Sequence, residues 1–357
     1  MPQTPLHATH ENLGATFTDF GGWEMPLKYG SELEEHRAVR TDVGIFDLSH
    51  MGEITVQGLD AAAFLDYALI SNFTALKDGK AKYSMIVAED GGIIDDLITY
   101  RFSENHFMVV PNAANTNAVW AAFEARKGDF EVQLTNNSEA FALVAVQGPK
   151  SLDVLKPLLS DDASALSYYS SAWMTLDGVE TIVARTGYTG EDGFELFCTR
   201  EDAQKVWDAV IGSGTPCGLA ARDSLRLEAS MPLYGHELTS EITPVEAGMG
   251  RAFAKKEADF VGKEALTGRA PSVVIAGLTS EQRRAARAGA EVFLAGSDDK
   301  IGVVTSGQPS PTLGHPVALA HLDPPHAELG TDVEIDIRGR RYPFTIAPTP
   351  FYSREDA

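Results

Sequence analysis

Residues 53–69 read EITVQGLDAAAFLDYAL, and residues 142–159 read ALVAVQGPKSLDVLKPLL. Each is a β-rich run that ends in Val-Gln-Gly and passes into a helix. Asp60 can cap the first helix, and Pro149 suits the first turn of the second. The likeness continues downstream. KAKYSMIVAEDGGIIDDLITY (80–100) and a helix around NTNAVWAAFEA (115–125) follow the first copy. VETIVARTGYTGEDGFELF (179–197) and the helix REDAQKVWDAVIG (200–212) follow the second. Both copies carry Glu-Asp-Gly, at 89–91 and 191–193. Asp and Gly tolerate positive φ, so this tripeptide suits a hairpin turn. Both copies then carry a further strand and a helix containing Val-Trp. The pattern predicts two β-α-β-β-α units, each a helix-covered antiparallel sheet. After about residue 270 the texture changes to short β-like runs between Gly/Pro turns, from SVVIAGL to RRYPFTIA. These predict a separate small antiparallel barrel or jelly roll.

The chain has 357 residues, more than one compact core usually holds. Its 29 Lys plus Arg against 51 Asp plus Glu leave a net charge of −22. A nucleic-acid partner, which needs a basic face, is therefore not expected, and an anionic ligand would need local cations. No apolar run is long enough to cross a bilayer, and the N-terminus has no export pattern. The two cysteines, Cys198 and Cys217, argue against a disulfide scaffold and fit the cytoplasm. P-loop, G-x-G-x-x-G, HExxH and Cys-x-x-Cys patterns are absent, and the histidines show no metal-ligand spacing. Ser49 and His50 adjoin in DLSHM, but neighbours in sequence rarely form a nucleophile–base pair; His50 reads as structural.

GGIIDDLITY (91–100) sets two carboxylates inside an apolar run. Side chains alternate along a strand, so Asp95 and Asp96 point to opposite sides and only one of them faces any given pocket. Glu195 follows the second Glu-Asp-Gly. If the two halves pack about a pseudo-twofold axis, acids from both hairpins look into one cavity that Tyr83 and Tyr188 could line. Arg222 and Arg226 are four apart, so they share a helix face; they read as an anion clamp or as surface salt bridges with Asp223 or Glu228.

These stretches carry a family resemblance. TPLHATHENLGATFTDFGGWEMPLKYGS (4–31), EHRAVRTDVGIFDLSHMGE (35–53), KAKYSMIVAEDGGIIDDL (80–97), RTGYTGEDGFEL (185–196), GLAARDSLRLEASMPLYGHEL (218–238), ITPVEAGMG (242–250) and GVVTSGQPSPTLGHPVALA (302–320) resemble, in order, the aminomethyltransferase (T-protein) family of the glycine cleavage system. The resemblance implies an α+β body of two related domains plus a C-terminal β-barrel, arranged as a cloverleaf around a central channel. The implied division is about 1–50 with 140–235, about 51–139 with 236–270, and 271–357. Tetrahydrofolate is the implied co-substrate, with neither metal nor pyridoxal phosphate. The implied partner is lipoylated H-protein, with no nucleic acid and no membrane; the chain is expected to be a cytoplasmic monomer.

By the same resemblance Asp95, the first acid of the pair, is the key aspartate beside the reactive folate nitrogens, and Asp96 is structural. Glu195 is the implied pterin ligand, and Arg222 would meet the glutamyl tail. Tyr83 and Tyr188 line the cavity, and Asn112 lies near the folate. The implied reaction takes the aminomethyl group from the dihydrolipoyl arm, releases ammonia and forms 5,10-methylenetetrahydrofolate. A folate-dependent demethylase of the same fold and a non-catalytic folate-binding paralogue are the alternatives.

Overall fold

Val-Gln-Gly closes a strand in both repeats because the chain must then turn where no side chain fits. Gly58 has φ +142° and Gly148 φ +131°. A Cβ on the first would lie 2.1 Å from the Glu131 carbonyl oxygen, and on the second 2.3 Å from that of Asp42. A computed structural model describes residues 1–355. It divides into two compact units: Met1–Ile86 with Ile94–Arg222 and Lys256–Val261, and Val87–Ile93 with Asp223–Lys255 and the chain from Gly262 onward.

The first unit holds both repeats. One sheet is ordered Ala81–Val87, Ile93–Ser103, His106–Pro111, Ile54–Gln57, Gln133–Asn136. The other is ordered Ser171–Leu176, Val179–Ala184, Gly193–Thr199, Phe141–Gln147, Gly44–Asp47, Thr215–Pro216. Each repeat is thus β-α-β-β-β-α, one strand more than the sequence pattern predicts. The equivalences are detailed. Val56 lies opposite Phe107 as Val146 lies opposite Phe194. Arg101 sits 5.2 Å over Phe107, and Arg185 sits 5.5 Å over Phe194. Arg101 Nη1 donates to the Leu76 carbonyl as Arg185 Nη1 donates to that of Leu166. The equivalent strands exchange reciprocal bonds, Ala81 N to Tyr169 O at 2.9 Å and Ser171 N to Gly79 O at 2.8 Å. That exchange has the form of a local twofold.

The two Glu-Asp-Gly tripeptides are not equivalent. Residues 89–91 join the first and second strands of their three-stranded meander, whereas 191–193 lead into the third strand of theirs. Gly91 takes the left-handed conformation, φ +88°; in the second copy Gly190 takes it, φ +82°, and Gly193 does not. The tripeptide reports local turn chemistry, which any strand junction can use. Counting from Phe107 and Phe194, the counterpart of Glu195 is Met108. Counting from Arg101 and Arg185, those of Asp95 and Asp96 are Val179 and Glu180. Asp60 also differs from expectation. It makes no side-chain cap to helix Ala61–Ala68, and its carboxylate accepts from Glu131 N at 2.8 Å.

Each sheet packs one face on helices. Ile54, Val56, Leu97, Phe107 and Val109 meet Phe64, Leu65, Val119 and Phe123. Val144, Val146, Phe194 and Leu196 meet Leu155, Val206, Trp207 and Val210. The opposite faces meet each other: Tyr100 lies edge-on to Phe197 at 5.5 Å and bonds to Glu195. The order within this unit is helix, sheet, sheet, helix.

In the second unit the strands Val274–Thr279, Pro316–Leu322, Lys300–Pro309, Glu291–Leu294, Asp332–Asp336 and Arg341–Ala347 close into a barrel, in that order. Leu278, Val292, Ile301, Leu322, Val333, Ile335 and Phe344 fill it. Arg226, only 1% exposed, donates to Asp223 and Glu237 and to the barrel hydroxyl of Ser306.

In the first unit, Lys256 Nζ is buried and donates to the carbonyls of Asp66, Leu69 and Ser71 at the end of helix Ala61–Ala68. Its charge also lies 4.8 Å over the Phe260 ring. Lys256→Met would strand three buried carbonyls, so a loss of about 2–4 kcal/mol is expected, read as a lower urea midpoint. An unchanged midpoint would show that the three carbonyls find other donors.

Candidate functional site

The strand Ile93–Ser103 carries the acids, and its alternation decides their fates. Leu97 belongs to the helix-side core, so Asp95 and Thr99 share that side. Tyr100 reaches the second sheet, so Asp96 and Ile98 face the layer between the sheets.

Asp95 is fully buried. Its Oδ2 accepts from Asn112 N at 2.8 Å, and its Oδ1 accepts from Asn112 Nδ2 at 2.8 Å and Asn115 Nδ2 at 2.6 Å. The carboxylate clasps the turn leading into helix Thr116–Arg126. Asp96 is only part-buried and accepts from Tyr83 Oη at 3.0 Å and from Asn112 Nδ2 at 2.9 Å. The geometry therefore reverses the expected division: Asp95 is held by turn donors on the helix side, and Asp96 stands in the inter-sheet layer. Sequence alternation separates the two acids but does not say which face is which.

Burial raises both carboxyls. Asp95 is pushed up to about 7, with the charge of Asp96 adding to burial and the Asn112 and Asn115 donors opposing it. Asp96 is pushed up to about 6 by burial, against the donors Tyr83 and Asn112. Burial, then Asp96, holds the Tyr83 phenol well above its usual range, with Tyr188 and Tyr169 adding to the effect.

Across the layer, Glu195 is 7% exposed. Its Oε2 accepts from Tyr100 Oη at 3.1 Å and from the Thr186 hydroxyl. Among the described residues no donor meets its Oε1. Arg222, on helix Leu219–Glu228, lies 4.9 Å over the Tyr188 ring. Burial draws its pKa down, while Glu195 and Tyr188 act the other way. Among the described residues no carboxylate ion-pairs with it. Arg226, four residues on, is committed to Asp223 and Glu237, so the two arginines do not form a joint clamp. Tyr169 adopts φ +58°, a region that costs an L residue about 1–2 kcal/mol, and feels both Glu195 and Asp96.

Tyr83, Asp96, Tyr188, Glu195 and Arg222 therefore form one electrostatically connected set, with Asn112 behind Asp96. Sequence reasoning missed Tyr100, Thr186, Tyr169 and Asn115. Only Tyr100 left a signal, its even spacing from Asp96. Ser49 is buried, its hydroxyl accepting from the backbone N–H of Leu143 at 3.0 Å and donating to the Leu143 carbonyl at 3.4 Å. His50 is buried edge-on to Phe20 at 5.6 Å. Burial pushes its pKa down to about 4; Asp47 opposes this and Arg222 adds to it, so the ring is neutral at pH 7.

Residues 6–257 match the GCVT N-terminal domain, and residues 274–353 match the glycine cleavage T-protein C-terminal barrel domain. An aminomethyltransferase of Corynebacterium aurimucosum is 60% identical over 99% of this chain and 98% of its own length. One of Streptomyces avermitilis is 52% identical at the same coverage. The crystal structure of the glycine cleavage system aminomethyltransferase T from Bartonella henselae superposes with a TM-score of 0.93 at 36% identity, over 99% of this chain and 98% of that one. Identity to curated aminomethyltransferases along nearly the whole length makes the chain a transferase. The chain belongs to the glycine cleavage T-protein family, and these relatives are aminomethyltransferases. No helix among the described residues is long and apolar enough to cross a membrane.

A carboxyl whose folded pKa is raised adds stability below its unfolded pKa and loses it as pH rises through the folded value. For Asp96 that loss falls between about pH 4 and about pH 7. Asp96→Asn should remove it. Urea melts across this range should show the native protein losing at most about 3 kcal/mol relative to the variant. Parallel curves for the two proteins would refute the raised carboxyl.

Proposed function

We propose that the chain transfers the aminomethyl group of a dihydrolipoyl arm, borne by H-protein, to tetrahydrofolate. The products are ammonia, the free dithiol and 5,10-methylenetetrahydrofolate. The observation that carries this reading is the part-buried Asp96 carboxylate, hydrogen-bonded to Tyr83 on the neighbouring strand of its own sheet and electrostatically linked through it to Tyr188, Glu195 and Arg222. Family membership and near-full-length identity to aminomethyltransferases support it.

The chemistry follows from the charges. Two folate N–H groups lose their protons while the carbon of S–CH2–NH2 forms bonds to both nitrogens. The C–S and C–N bonds break, and the two protons leave on the thiol and on ammonia. Carbon becomes iminium-like on the way. An anionic Asp96, fixed by Tyr83 and Asn112, stabilises that cation without reorganising. It also holds the nucleophile in line with the donor carbon, which removes much of the entropic barrier. A folate aryl-amine is a weak base, so electrostatics and positioning are the main duties of Asp96 rather than deprotonation. The free oxygen of Glu195 suits an N–H on the pterin edge. The guanidinium of Arg222 suits a tail carboxylate, which the net charge of −22 would otherwise repel. The protein is assigned to the cytoplasm.

The deciding experiment incubates the protein with aminomethyl-loaded H-protein and measures ammonia with and without tetrahydrofolate. Folate-dependent release is expected; a demethylase or a non-catalytic folate binder gives none. Asp96→Asn should lower turnover about 10²–10³-fold with folate affinity within a few-fold, because it removes a stabilising charge rather than the ligand contacts. Arg222→Ala should weaken folate binding about 10-fold or more and leave a pterin lacking the glutamyl tail unaffected. Equal losses for both ligands would remove Arg222 from the tail site.

A further inference from the structure

Asn115 is the residue before helix Thr116–Arg126, where an Asn side chain ordinarily caps the helix; here it makes no cap. Its Nδ2 instead donates to Asp95 Oδ1 at 2.6 Å. The same oxygen accepts Asn112 Nδ2 at 2.8 Å, and that one amide nitrogen also reaches Asp96 Oδ1 at 2.9 Å and the Asp96 carbonyl at 2.9 Å. Asn112 is therefore shared between two acids, and Asn115 decides how strongly Asp95 claims it. The groups bearing on this relay come from three places. Asp95 and Asp96 lie on their own strand, Tyr83 on Ala81–Val87 faces Asp96, and Tyr169 feels its charge. Among the described residues no cation ion-pairs with either carboxylate.

We propose that Asn115 is a positioning residue for the reaction: by satisfying Asp95 it frees the Asn112 amide to hold Asp96 ionised and aimed into the inter-sheet layer. This rests on the proposed role of Asp96 and deepens it. Without the Asn115 donor, the Asp95 carboxylate draws Asn112 Nδ2 to itself, Asp96 loses a donor, and the pair binds its last proton more tightly. A hydrogen bond to an ionised carboxylate moves its titration by about one unit.

The test uses the full chain with Asn115→Ala and Asn115→Asp. Turnover is followed across pH, and the carboxyl carbons are titrated by NMR in protein labelled at Asp Cγ. The acidic limb should move up by about one pH unit in Asn115→Ala and further in Asn115→Asp, which adds a like charge. In Asn115→Ala turnover at about pH 6 should fall about fivefold and recover to within about twofold by about pH 7, with folate affinity unchanged within about twofold. A loss of the same size at every pH, or an unmoved limb, overturns the proposal, since a merely structural role predicts that. If Asn115→Ala does not fold, the isosteric Asn115→Asp carries the test. If the native protein releases no ammonia, the proposed function fails, and the NMR titration still decides whether Asn115 sets the ionisation of the pair.

Discussion

The hydroxyl of Tyr100 donates to Glu195 from one sheet to the other, and Thr186 bonds to both. A buried carboxylate is costly unless its oxygens are satisfied, so this contact holds the two sheets in one relation. Through the alternation of a single strand it also decides what Asp96 faces. Because Tyr100 must look across the layer, Asp96, four residues earlier, looks the same way. Asp95 is then committed to the helix side and to the turn at Asn112. The site is thus a consequence of how two sheets meet, and each of its carboxylates has a distinct set of donors.

The duplicated frame carries an unduplicated site. Reciprocal backbone bonds at Ala81 and Ser171 and matched arginines at 101 and 185 show two copies of one framework. Chemistry has been placed on only one member of each pair. Met108 stands where the second copy has Glu195. Asp96, counting from Arg101 and Arg185, is matched by the exposed Glu180, and Tyr83, counting from Ala81 and Ser171, by the exposed Trp173. A symmetric frame with unlike faces can hold an unsymmetrical ligand: an amine-rich edge toward a carboxylate and an anionic tail toward a guanidinium.

Charge is arranged locally against the global trend. The chain is strongly acidic, yet Arg222 is desolvated over Tyr188 with no ion-pair partner among the described residues, while Arg226 on the same helix is neutralised by Asp223 and Glu237. Neutral His50 leaves Arg222 as the cation of the site. Two arginines at helical spacing look interchangeable along a sequence; their surroundings make one a structural tie and leave the other without a carboxylate partner among the described residues.

Much was legible from the sequence alone. Val-Gln-Gly and Val-Trp recur because each marks a packing requirement, a glycine turn against backbone and a helix against its sheet. The late run of short strands announces the barrel. The candidate residues Tyr83, Tyr188, Glu195 and Arg222 could be named, as could the rule that Asp95 and Asp96 must part company. What the sequence could not supply was which acid goes which way, since the period of two is the same for either assignment. Nor could it show that the two Glu-Asp-Gly turns occupy different places, because turn chemistry is local and repeats wherever strands join. Asn115, Thr186 and Tyr169 became visible only in three dimensions: their significance lies in hydrogen bonds and charges from residues up to 86 positions away, as in the bond between Tyr100 and Thr186. Such contacts are made by packing, and no spacing along the chain records them.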